Sequence, residues 1–551
     1  MTSRRNFIKQ AGMATAGLLA SQMPLNAFAA EDDKRFRQLR EAIAAHANFL
    51  KIPGLIAAVV EDGQVRFVQT EGFADADKKI PMRRDHIFPV ASVTKTFAAV
   101  TLMQYEQEGR VSMDDYILDY PFLPVGFTPE RLQSPNVKIK HVLSHTSEGE
   151  PGSNYIYNGG RYNFIYGVFE AMSGNTRHYE AFSGEVTKRI LQPLKMNDTL
   201  PGYPSDKNNP ALSRIVTTYF RDRKHQSFNA NRNLPDQTIL YPSTNLLTTA
   251  DDLAKYCHAL DNNILLTAES YRKLTSPFAA SDGRTYPYGL GWATQQVDGR
   301  PVHWHYGYGD SFAALLIRLP REKLSFILLC NSTPASEAFF LGYGNVLNSV
   351  FAQAFFKHIV FRRDDQFSYD ALINKQVTGT DTLFYDEVFS QALMRYYTEQ
   401  NYNEHKSEAA KLIHYLAVNA PARFQKTDLS LIYLLSQIAD PGLKEQMETA
   451  IAAYADSNYF HPHIHERIAG WYERTGNSQA ARDWYHKLAD SKGYEEQGAV
   501  KSACNILGKY YLAQGEKEKG RNYLWRETLY NRYTDSGIEE ASRQLTVMKS
   551  R

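Results

Sequence analysis

The sequence has few cysteines and no excess of charge of either sign. Among its 551 residues are three cysteines, and 62 lysines and arginines nearly balance 60 aspartates and glutamates, for a net charge of +2. An odd and small number of cysteines argues against a disulfide framework. Cys257, Cys330 and Cys504 are therefore expected to be free, the first two as core thiols. The balanced charge gives no sign of a nucleic-acid-binding surface.

A long hydrophobic run is also missing near the amino terminus. The mildly apolar residues 11–20 are too few, and too rich in Ala, Gly and Thr, to form a stable membrane span. They follow Ser3-Arg4-Arg5-Asn6-Phe7-Ile8-Lys9 and precede Ala27-Phe28-Ala29, and the three parts together resemble a twin-arginine export signal with its cleavage site. We therefore expect residues 1–29 to be a signal peptide and the mature protein to be periplasmic or extracellular.

Two patterns that suggest a metal or phosphate site lack their remaining parts. His303 and His305 alternate on a strand-like stretch and so face the same side, but no nearby Cys, Asp or Glu completes a metal site. The glycine-rich residues 286–292 precede no helix that could receive a phosphate, and they are expected to lead into a strand beside a pocket. We predict neither a metal nor an organic cofactor.

What the sequence does contain is a potential nucleophile one helical turn before a potential base, Ser92-Val93-Thr94-Lys95. A serine hydroxyl attacks a carbonyl poorly unless a base takes its proton, and a lysine does so only where its pKa is lowered. The apolar residues 97–103 predict a buried helix that ends at Gly109. Taken alone, the motif fits catalysis or a serine that caps a structural helix.

A second Ser-x-x-Lys motif, Ser270-Tyr271-Arg272-Lys273, provides the contrast. It lies in an amphipathic stretch, which predicts an exposed helix with a solvated Lys273. The buried surroundings of Ser92 therefore favour Ser92 over Ser270 as the nucleophile.

Further motifs follow Ser92 along the chain. In order, they are Lys138-Ile139-Lys140-His141-Val142-Leu143-Ser144-His145-Thr146-Ser147, Tyr155-Ile156-Tyr157-Asn158-Gly159-Gly160-Arg161-Tyr162, Asn245-Leu246-Leu247-Thr248-Thr249-Ala250-Asp251-Asp252-Leu253-Ala254 and His303-Trp304-His305-Tyr306-Gly307. Over residues 52–331 this order resembles the serine β-lactamase and penicillin-binding superfamily. The similarity is to its class C-like branch, which includes D-alanyl-D-alanine carboxypeptidases, D-aminopeptidases and esterases. His141 and His145 are expected to cap or pack a turn that supports the site.

The resemblance implies roles for individual residues. Ser92 matches the family nucleophile and Lys95 the lysine that activates it. Tyr157 matches the tyrosine that relays a proton to the leaving group. The main-chain N–H groups of Ser92 and Tyr308 match the oxyanion hole. Serine hydrolysis by this route needs no metal or cofactor.

Two departures from the family pattern bear on the substrate. Asn158 directly follows Tyr157, and Gly159 holds the position where the family has asparagine. The third motif, which lies on an edge strand in the family, is His305-Tyr306-Gly307 in place of the lactamase Lys-Thr-Gly or the peptidase His-Thr-Gly. This removes a positive charge suited to a β-lactam and a hydroxyl donor for a carboxylate. Asn158, His305 and Gly307 are the predicted substrate-binding residues, and peptidase, amidase or esterase chemistry is favoured over efficient β-lactamase action.

The chain is longer than one typical domain, and its character changes near Asp370. Before that point, β-like segments are joined in hairpin patterns at Asp62-Gly63 and at residues 320–323. With the resemblance, residues 30–370 are predicted to form an α/β (α+β) β-lactamase-like domain. Its antiparallel sheet would be flanked by helices beside an all-helical subdomain, with the site between them.

Residues 371–551 are predicted to be all-helical. The runs around Gly476 and Gly515 resemble tetratricopeptide-like helical hairpins, although these glycines are 39 residues apart and the usual repeat is ~34 residues. Such arrays bind peptide or protein partners, but a helical appendage that only buttresses the catalytic domain is compatible with the same pattern. Because all matched residues precede Asp370, we expect the two regions to be separable in chemistry.

Together these observations predict an exported serine hydrolase that forms a Ser92 acyl-enzyme with a small-molecule or peptide amide or ester. The alternative is a slow or non-catalytic penicillin-binding-like sensor or scaffold, whose helical repeats bind a protein partner.

Overall fold

The computed structural model describes residues 34–120, 129–174, 180–222, 227–232, 239–374 and 381–529. The predicted signal peptide, residues 1–29, lies outside these ranges. Within them, no helix combines the length and apolar character that a membrane crossing requires. All three cysteines are free, and Cys257 and Cys330 are core thiols, as the sequence predicted; Cys504 is buried as well.

A seven-stranded sheet forms the centre of the amino-terminal region. Its strand order is β3-β2-β1-β11-β10-β9-β8, and every neighbouring pair is antiparallel. Two small sheets pair β4 with β7 and β5 with β6. The strands are β1 Gly54–Glu61, β2 Gln64–Asp75, β3 Ile80–Pro81, β4 Phe88–Pro89, β5 Thr218–Asp222, β6 Ser227–Asn231, β7 Leu247–Thr248, β8 Ala293–Val297, β9 Arg300–Tyr308, β10 Ala313–Leu319 and β11 Leu324–Cys330.

Helices surround this sheet and make up the carboxyl-terminal region. The α-helices are α1 Lys34–Phe49, α2 Thr94–Gln107, α3 Ile139–Leu143, α4 Tyr166–Ser173, α5 Ala181–Val186, α6 Ala250–Asp261, α7 Ala268–Thr275, α8 Pro334–Glu337, α9 Val350–Phe355, α10 Tyr369–Ile373, α11 Thr382–Tyr402, α12 Glu408–Asn419, α13 Leu429–Ile438, α14 Lys444–Asp456, α15 Pro462–Arg474, α16 Ser478–Ala489, α17 Gly498–Ala513 and α18 Lys517–Glu527. Shorter 3₁₀ turns cover Ala91–Val93, Ile117–Asp119, Pro129–Leu132, Arg161–Ile165, Pro210–Arg214, Leu341–Tyr343, Val346–Asn348, Pro421–Arg423 and Pro441–Leu443, and π turns cover Thr187–Leu191 and Phe356–Val360.

Both predicted hairpins are confirmed. Asp62 and Gly63 join β1 to β2 with φ angles of 46° and 75°, the left-handed values that a tight hairpin turn requires. β10 and β11 pair from Ala313 opposite Cys330 to Leu319 opposite Leu324. The central part of the sheet therefore follows from local turn chemistry and alternating apolar residues.

The two faces of the sheet belong to different cores, because successive side chains of a strand point to opposite faces. Ala314 and Leu316 pack with α2 on one face. Leu315 and Ile317 pack on the other face with α1, and this second core continues without a break into the carboxyl-terminal helices, as far as Tyr523 in α18. The apolar core thus crosses the predicted boundary near Asp370.

The strand that carries the third motif is not at the edge of the sheet, contrary to the expectation from the family. β9 lies between β10 and β8. However, β8 pairs with β9 only as far as Trp304, opposite Ala293. Residues 305–308 extend past β8, so the motif itself lies at an open part of the sheet.

Candidate active site

Ser92 and Lys95 form a close pair at the start of α2. The Lys95 Nζ lies 2.9 Å from the Ser92 Oγ and 3.1 Å from the main-chain oxygen of Ser243. Residues 94–105 of α2 are all buried, as predicted, because both sides of this helix pack inside the amino-terminal region. The predicted nucleophile and base are therefore within hydrogen-bond reach of each other.

The environment of Lys95 suits a neutral amine. Its side chain is 0% exposed, and burial lowers its pKa from 10.5 to about 7. The Nζ lies over the rings of Tyr157 and Tyr162, at 5.4 and 5.2 Å from their centroids. Near neutral pH a substantial fraction of Lys95 is therefore unprotonated and can accept a proton.

The backbone before Ser92 is strained. Ala91 has a φ of 43°, a left-handed value that costs a residue with a side chain about 1–2 kcal/mol. Thr94 holds this turn by donating its hydroxyl to the Ala91 carbonyl oxygen at 2.6 Å. Strain of this kind persists only where surrounding contacts impose it, and it is common at active sites.

The Tyr157 hydroxyl faces Ser92. Burial raises the pKa of this phenol, and the neighbouring hydroxyls of Ser92 and Tyr306 lower it by a smaller amount. The Tyr157 hydroxyl is buried, and no described residue lies in full hydrogen-bond geometry with it. An unpaired buried hydroxyl is costly, and here it is available to a group bound at Ser92.

Two histidines support the turn before Tyr157, as the sequence predicted. The His141 Nδ1 accepts the main-chain N–H of Lys138 at 3.2 Å and so caps α3. The His145 Nδ1 accepts the main-chain N–H of Asn158 at 3.2 Å, and the His145 ring lies 4.3 Å from the Tyr157 ring. Burial holds the pKa of His145 well below its usual value, so this ring is a neutral packing surface.

His305, predicted to bind substrate, lies inside the protein. The side chain is fully buried, its Nε2 accepts the Tyr288 hydroxyl at 2.7 Å and its Nδ1 donates to the Tyr306 main-chain oxygen at 2.7 Å. Burial lowers its pKa to about 3, so the ring is neutral. Both ring nitrogens are engaged inside the protein, where the ring supports Tyr288, and a contact between His305 and substrate stays a prediction.

The Asn158 side chain is also engaged inside the protein. Its amide nitrogen donates to Glu148 Oε1 and to Glu496 Oε1, both at 2.9 Å, and its side-chain oxygen accepts the main-chain N–H of Arg161 at 3.3 Å. Both donors of the amide are used by buried carboxylates. Glu148 lies 10 residues before Asn158 in the chain and Glu496 lies 338 residues after it. The binding of a substrate amide by Asn158 stays a prediction.

Gly307 permits a close approach between β9 and the segment before Ser92. A Cβ at this position would lie 2.2 Å from the Val90 main-chain oxygen. The end of β9 therefore packs against the turn Ala91–Val93, which precedes α2. The main chain of Tyr308, the next residue, follows this contact directly, while its side chain is 51% exposed.

The second Ser-x-x-Lys motif makes no comparable pair. Lys273 is exposed and forms an ion pair with Glu106 at 2.7 Å. Ser270 accepts a hydrogen bond from Thr267 in the first turn of α7, at 3.1 Å. The exposed amphipathic helix predicted here is confirmed.

Some parts of the site were not identified from the sequence. The Ser243 main-chain oxygen that faces Lys95 belongs to no motif. The sequence identified Tyr306 as a replacement for the family threonine, but it did not predict that Tyr306 lies beside Tyr157. Its place in the third motif was the feature that could have indicated this contact. In the part of the chain that the structure describes, no three His, Cys, Asp or Glu side chains gather as a metal site would require.

Three features define the serine hydrolase fold of the β-lactamase and penicillin-binding superfamily. They are an antiparallel sheet, a serine paired with a buried lysine at the start of the first helix after β4, and a glycine-containing strand end beside that pair. The sequence profile of the beta-lactamase family matches residues 33–348, more than half of the chain. The chain belongs to this family.

Two curated relatives share less than two thirds of their own length with this chain. Protein flp of Staphylococcus aureus (strain MRSA252) is 23% identical over 313 residues, which cover 51% of this chain and 60% of that protein. The D-aminopeptidase of Brucella anthropi is 25% identical over 317 residues, which cover 51% of this chain and 56% of the enzyme.

Solved structures are also similar. The octameric penicillin-binding protein homologue from Pyrococcus abyssi matches with a TM-score of 0.49 and 18% identity over 62% of this chain and 82% of that chain. The penicillin-binding protein from Bacillus halodurans matches with a TM-score of 0.44 and 22% identity over 53% of this chain and 94% of that chain.

Proposed function

We propose that the protein is an exported serine hydrolase that forms an acyl-enzyme at Ser92 with an amide or ester substrate. The observation that carries this proposal is the 2.9 Å approach of the Lys95 Nζ to the Ser92 Oγ at a site where the lysine is fully buried. A neutral amine at this distance can take the serine proton.

The proton follows a short route in this mechanism. Lys95 accepts the Ser92 proton as the Oγ bonds to the carbonyl carbon, and the main-chain N–H groups of Ser92 and Tyr308 stabilise the oxyanion. The proton then passes through the Tyr157 hydroxyl to the departing amine or alcohol as the carbonyl–leaving-group bond breaks. In the second half, water attacks the acyl carbon, and its proton returns to the Ser92 Oγ as the acid is released.

The third motif supports amide or ester substrates over β-lactams. His305 is neutral and buried, so this strand offers no positive charge where the lactamase form has lysine. A D-aminopeptidase is among the curated relatives. These observations favour a small-molecule or peptide substrate.

The location and the domain organisation are part of the same proposal. Export would follow the twin-arginine route, with residues 1–29 removed. The proposed organisation is a hydrolase domain, residues 30–370, followed by a tetratricopeptide-like domain, residues 371–551, and one apolar core joins the two. Two consecutive helical hairpins, α15–α16 and α17–α18, support the helical-repeat character of the second. A protein partner on the carboxyl-terminal helices is proposed on the same basis.

Covalent labelling tests the nucleophile. The mature protein would be treated with a fluorophosphonate, and the modified peptide mapped by mass spectrometry. We expect one adduct on Ser92, loss of labelling in Ser92→Ala and full labelling in the matched control Ser270→Ala. Labelling that persists in Ser92→Ala contradicts the mechanism.

One observation favours a second function, a slow or non-catalytic sensor. Asn158 and His305, two of the three predicted substrate-binding residues, are engaged inside the protein. A sensor would acylate at Ser92 and fail to release the acyl group. Intact mass measured over hours separates the two: turnover restores the free enzyme mass, whereas a sensor keeps the adduct.

A further inference from the structure

The loop between the two carboxyl-terminal hairpins reaches the segment that carries Tyr157. This loop, residues 490–497, joins α16 to α17. The Gly493 main-chain oxygen accepts the N–H of Gly149 at 2.9 Å, and a Cβ on Gly493 would lie 2.8 Å from the Gly149 Cα. The spacing between the two hairpins is longer than the usual repeat of ~34 residues, and this loop accommodates the extra residues.

Glu496, near the end of this loop, brings a carboxylate into a buried cluster of polar groups. Its side chain is 4% exposed. Its oxygens lie 3.2 Å from the Arg161 Nη1 and 3.4 Å from the Arg131 Nε, and it accepts the Asn158 amide at 2.9 Å. The Arg161 side chain is 2% exposed, so Glu496 supplies a counter-charge to a cation that has left water.

These contacts lead directly to Tyr157. Asn158 is the next residue in the chain, and its main-chain N–H binds the His145 ring that packs on Tyr157. The Arg161 main-chain N–H binds the Asn158 side-chain oxygen. One carboxylate therefore engages both the residue after Tyr157 and the arginine three positions further on.

The same segment has other partners in the carboxyl-terminal region. The Tyr459 hydroxyl donates to the Tyr155 main-chain oxygen, and the Asn154 amide donates to the Tyr494 hydroxyl at 3.0 Å. The Gln497 amide donates to Glu148 at 2.6 Å. The carboxyl-terminal region therefore contacts residues before and after Tyr157 in the chain, and it supports this segment.

We propose that Glu496 is a positioning residue for Tyr157, so that the carboxyl-terminal helical region completes the active site of the hydrolase. This inference rests on the proposed role of Tyr157 as the proton relay. It reverses the sequence-based expectation that the two regions are separable in chemistry. Without the Glu496 charge, the buried Arg161 guanidinium keeps its neutral oxygen acceptors on Ser147, Arg131 and Leu132 but loses this counter-charge. The segment that holds Tyr157 is then less firmly fixed.

The test compares leaving groups, because a misplaced proton donor matters only when the leaving group needs a proton. The full mature chain and its Glu496→Gln variant would be assayed with p-nitrophenyl acetate, whose leaving group departs as an anion, and with a D-alanine alkylamide, whose amine must be protonated. We expect kcat/KM for the amide to fall on the order of 100-fold in Glu496→Gln and for the p-nitrophenyl ester by less than ~10-fold, the range that general acid catalysis provides.

Controls separate this effect from a general loss of structure. Tyr157→Phe should reproduce the same dependence on the leaving group, Glu496→Asp should restore part of the amide activity, and Glu495→Gln removes the same charge from the neighbouring position and should match the wild type. Asn158→Ala serves if Glu496→Gln fails to fold. It removes the hydrogen bond between Asn158 and Glu496 but leaves Glu496 paired with Arg161 and Arg131, and it should show the same dependence on the leaving group.

The outcomes are distinct for the two proposals. Failure of the wild type to label at Ser92 contradicts the proposed function. A wild type that labels, with Glu496→Gln and Asn158→Ala that lose ester and amide activity equally or lose neither, overturns the positioning role of Glu496.

Discussion

Glu148 and Glu496 both accept hydrogen bonds from one amide group, the Asn158 Nδ2, each at 2.9 Å. Two buried carboxylates that share a donor repel each other, although Arg161 offsets part of the repulsion. Burial and the Glu496 charge together raise the pKa of Glu148 to about 7. Glu148 therefore titrates near neutral pH at the contact between the two regions.

This titration predicts a pH-dependent effect of Glu148→Gln on stability. The unfolded chain releases the Glu148 proton near pH 4.5 and the folded chain near pH 7, so the folded state binds more protons between these values. The free energy of unfolding contributed by Glu148 therefore decreases as pH rises from 4.5 to 7. Because glutamine imitates the protonated acid, Glu148→Gln should stabilise the protein by up to about 3 kcal/mol at pH 8 and change little at pH 4.5.

Denaturant unfolding at pH 4.5 and pH 8 measures this difference. Glu496, Arg161, Asn158 and Gln497 face the Glu148 carboxylate and remain in the variant. Glu495→Gln, on the same loop as Glu496, serves as the control and should show no such pH dependence. An equal change in free energy at both pH values would contradict the prediction.

The buried amine of Lys95 predicts the pH profile of acylation. Its pKa is lowered to about 7, so the fraction of neutral amine, and with it the acylation rate, should rise with pH and reach half its maximum near pH 7. Lys95→Arg keeps a positive charge that does not dissociate, and should lower acylation by orders of magnitude across the range. Stopped-flow labelling measures both, with Lys273→Arg as the control. Near-normal acylation of Lys95→Arg would transfer the base role to Tyr157.

The third motif predicts the order of substrate preference. Since His305 is neutral and buried, kcat/KM for short acyl esters and for D-amino-acid amides should exceed that for cephalosporins. Side-by-side initial rates with one enzyme preparation measure the order. A preference for the cephalosporin would show that the strand does not need a cationic residue to bind an anionic β-lactam.

The contact between Gly307 and Val90 predicts a steric effect. In Gly307→Ala the new Cβ would meet the Val90 main-chain oxygen at 2.2 Å, so β9 must move away from the turn before Ser92 and acylation should fall by at least ~100-fold. Gly184→Ala is the matched control, because a Cβ there meets no described atom within 4 Å; in α5 it should stabilise the protein by about 0.5–1 kcal/mol. Unchanged acylation in Gly307→Ala would show that the end of β9 does not contribute to the oxyanion hole.

Local features of the sequence were enough to predict several parts of this molecule. The Asp62-Gly63 turn, the buried helix after Ser92 and the exposed helix at Ser270 each depend on a few adjacent residues. The partners of His305 and Asn158 could not be predicted in this way. Tyr288 reaches His305 only through the packing of the sheet, and Glu496 lies 338 residues from Asn158 along the chain. A polar side chain that matches a family motif can be engaged internally by a residue that no local pattern identifies.

The ion pair between Arg161 and Glu496 spans 335 residues of sequence. During synthesis, Ser92 and Lys95 emerge from the ribosome long before Glu496 does, and the nascent chain holds an arginine whose counter-ion has not yet been translated. Contacts between residues this far apart in sequence also form late in folding, because closing so long a loop costs conformational entropy. Assembly of the segment around Tyr157 therefore waits until Glu496 has been translated, well after the catalytic pair has left the ribosome.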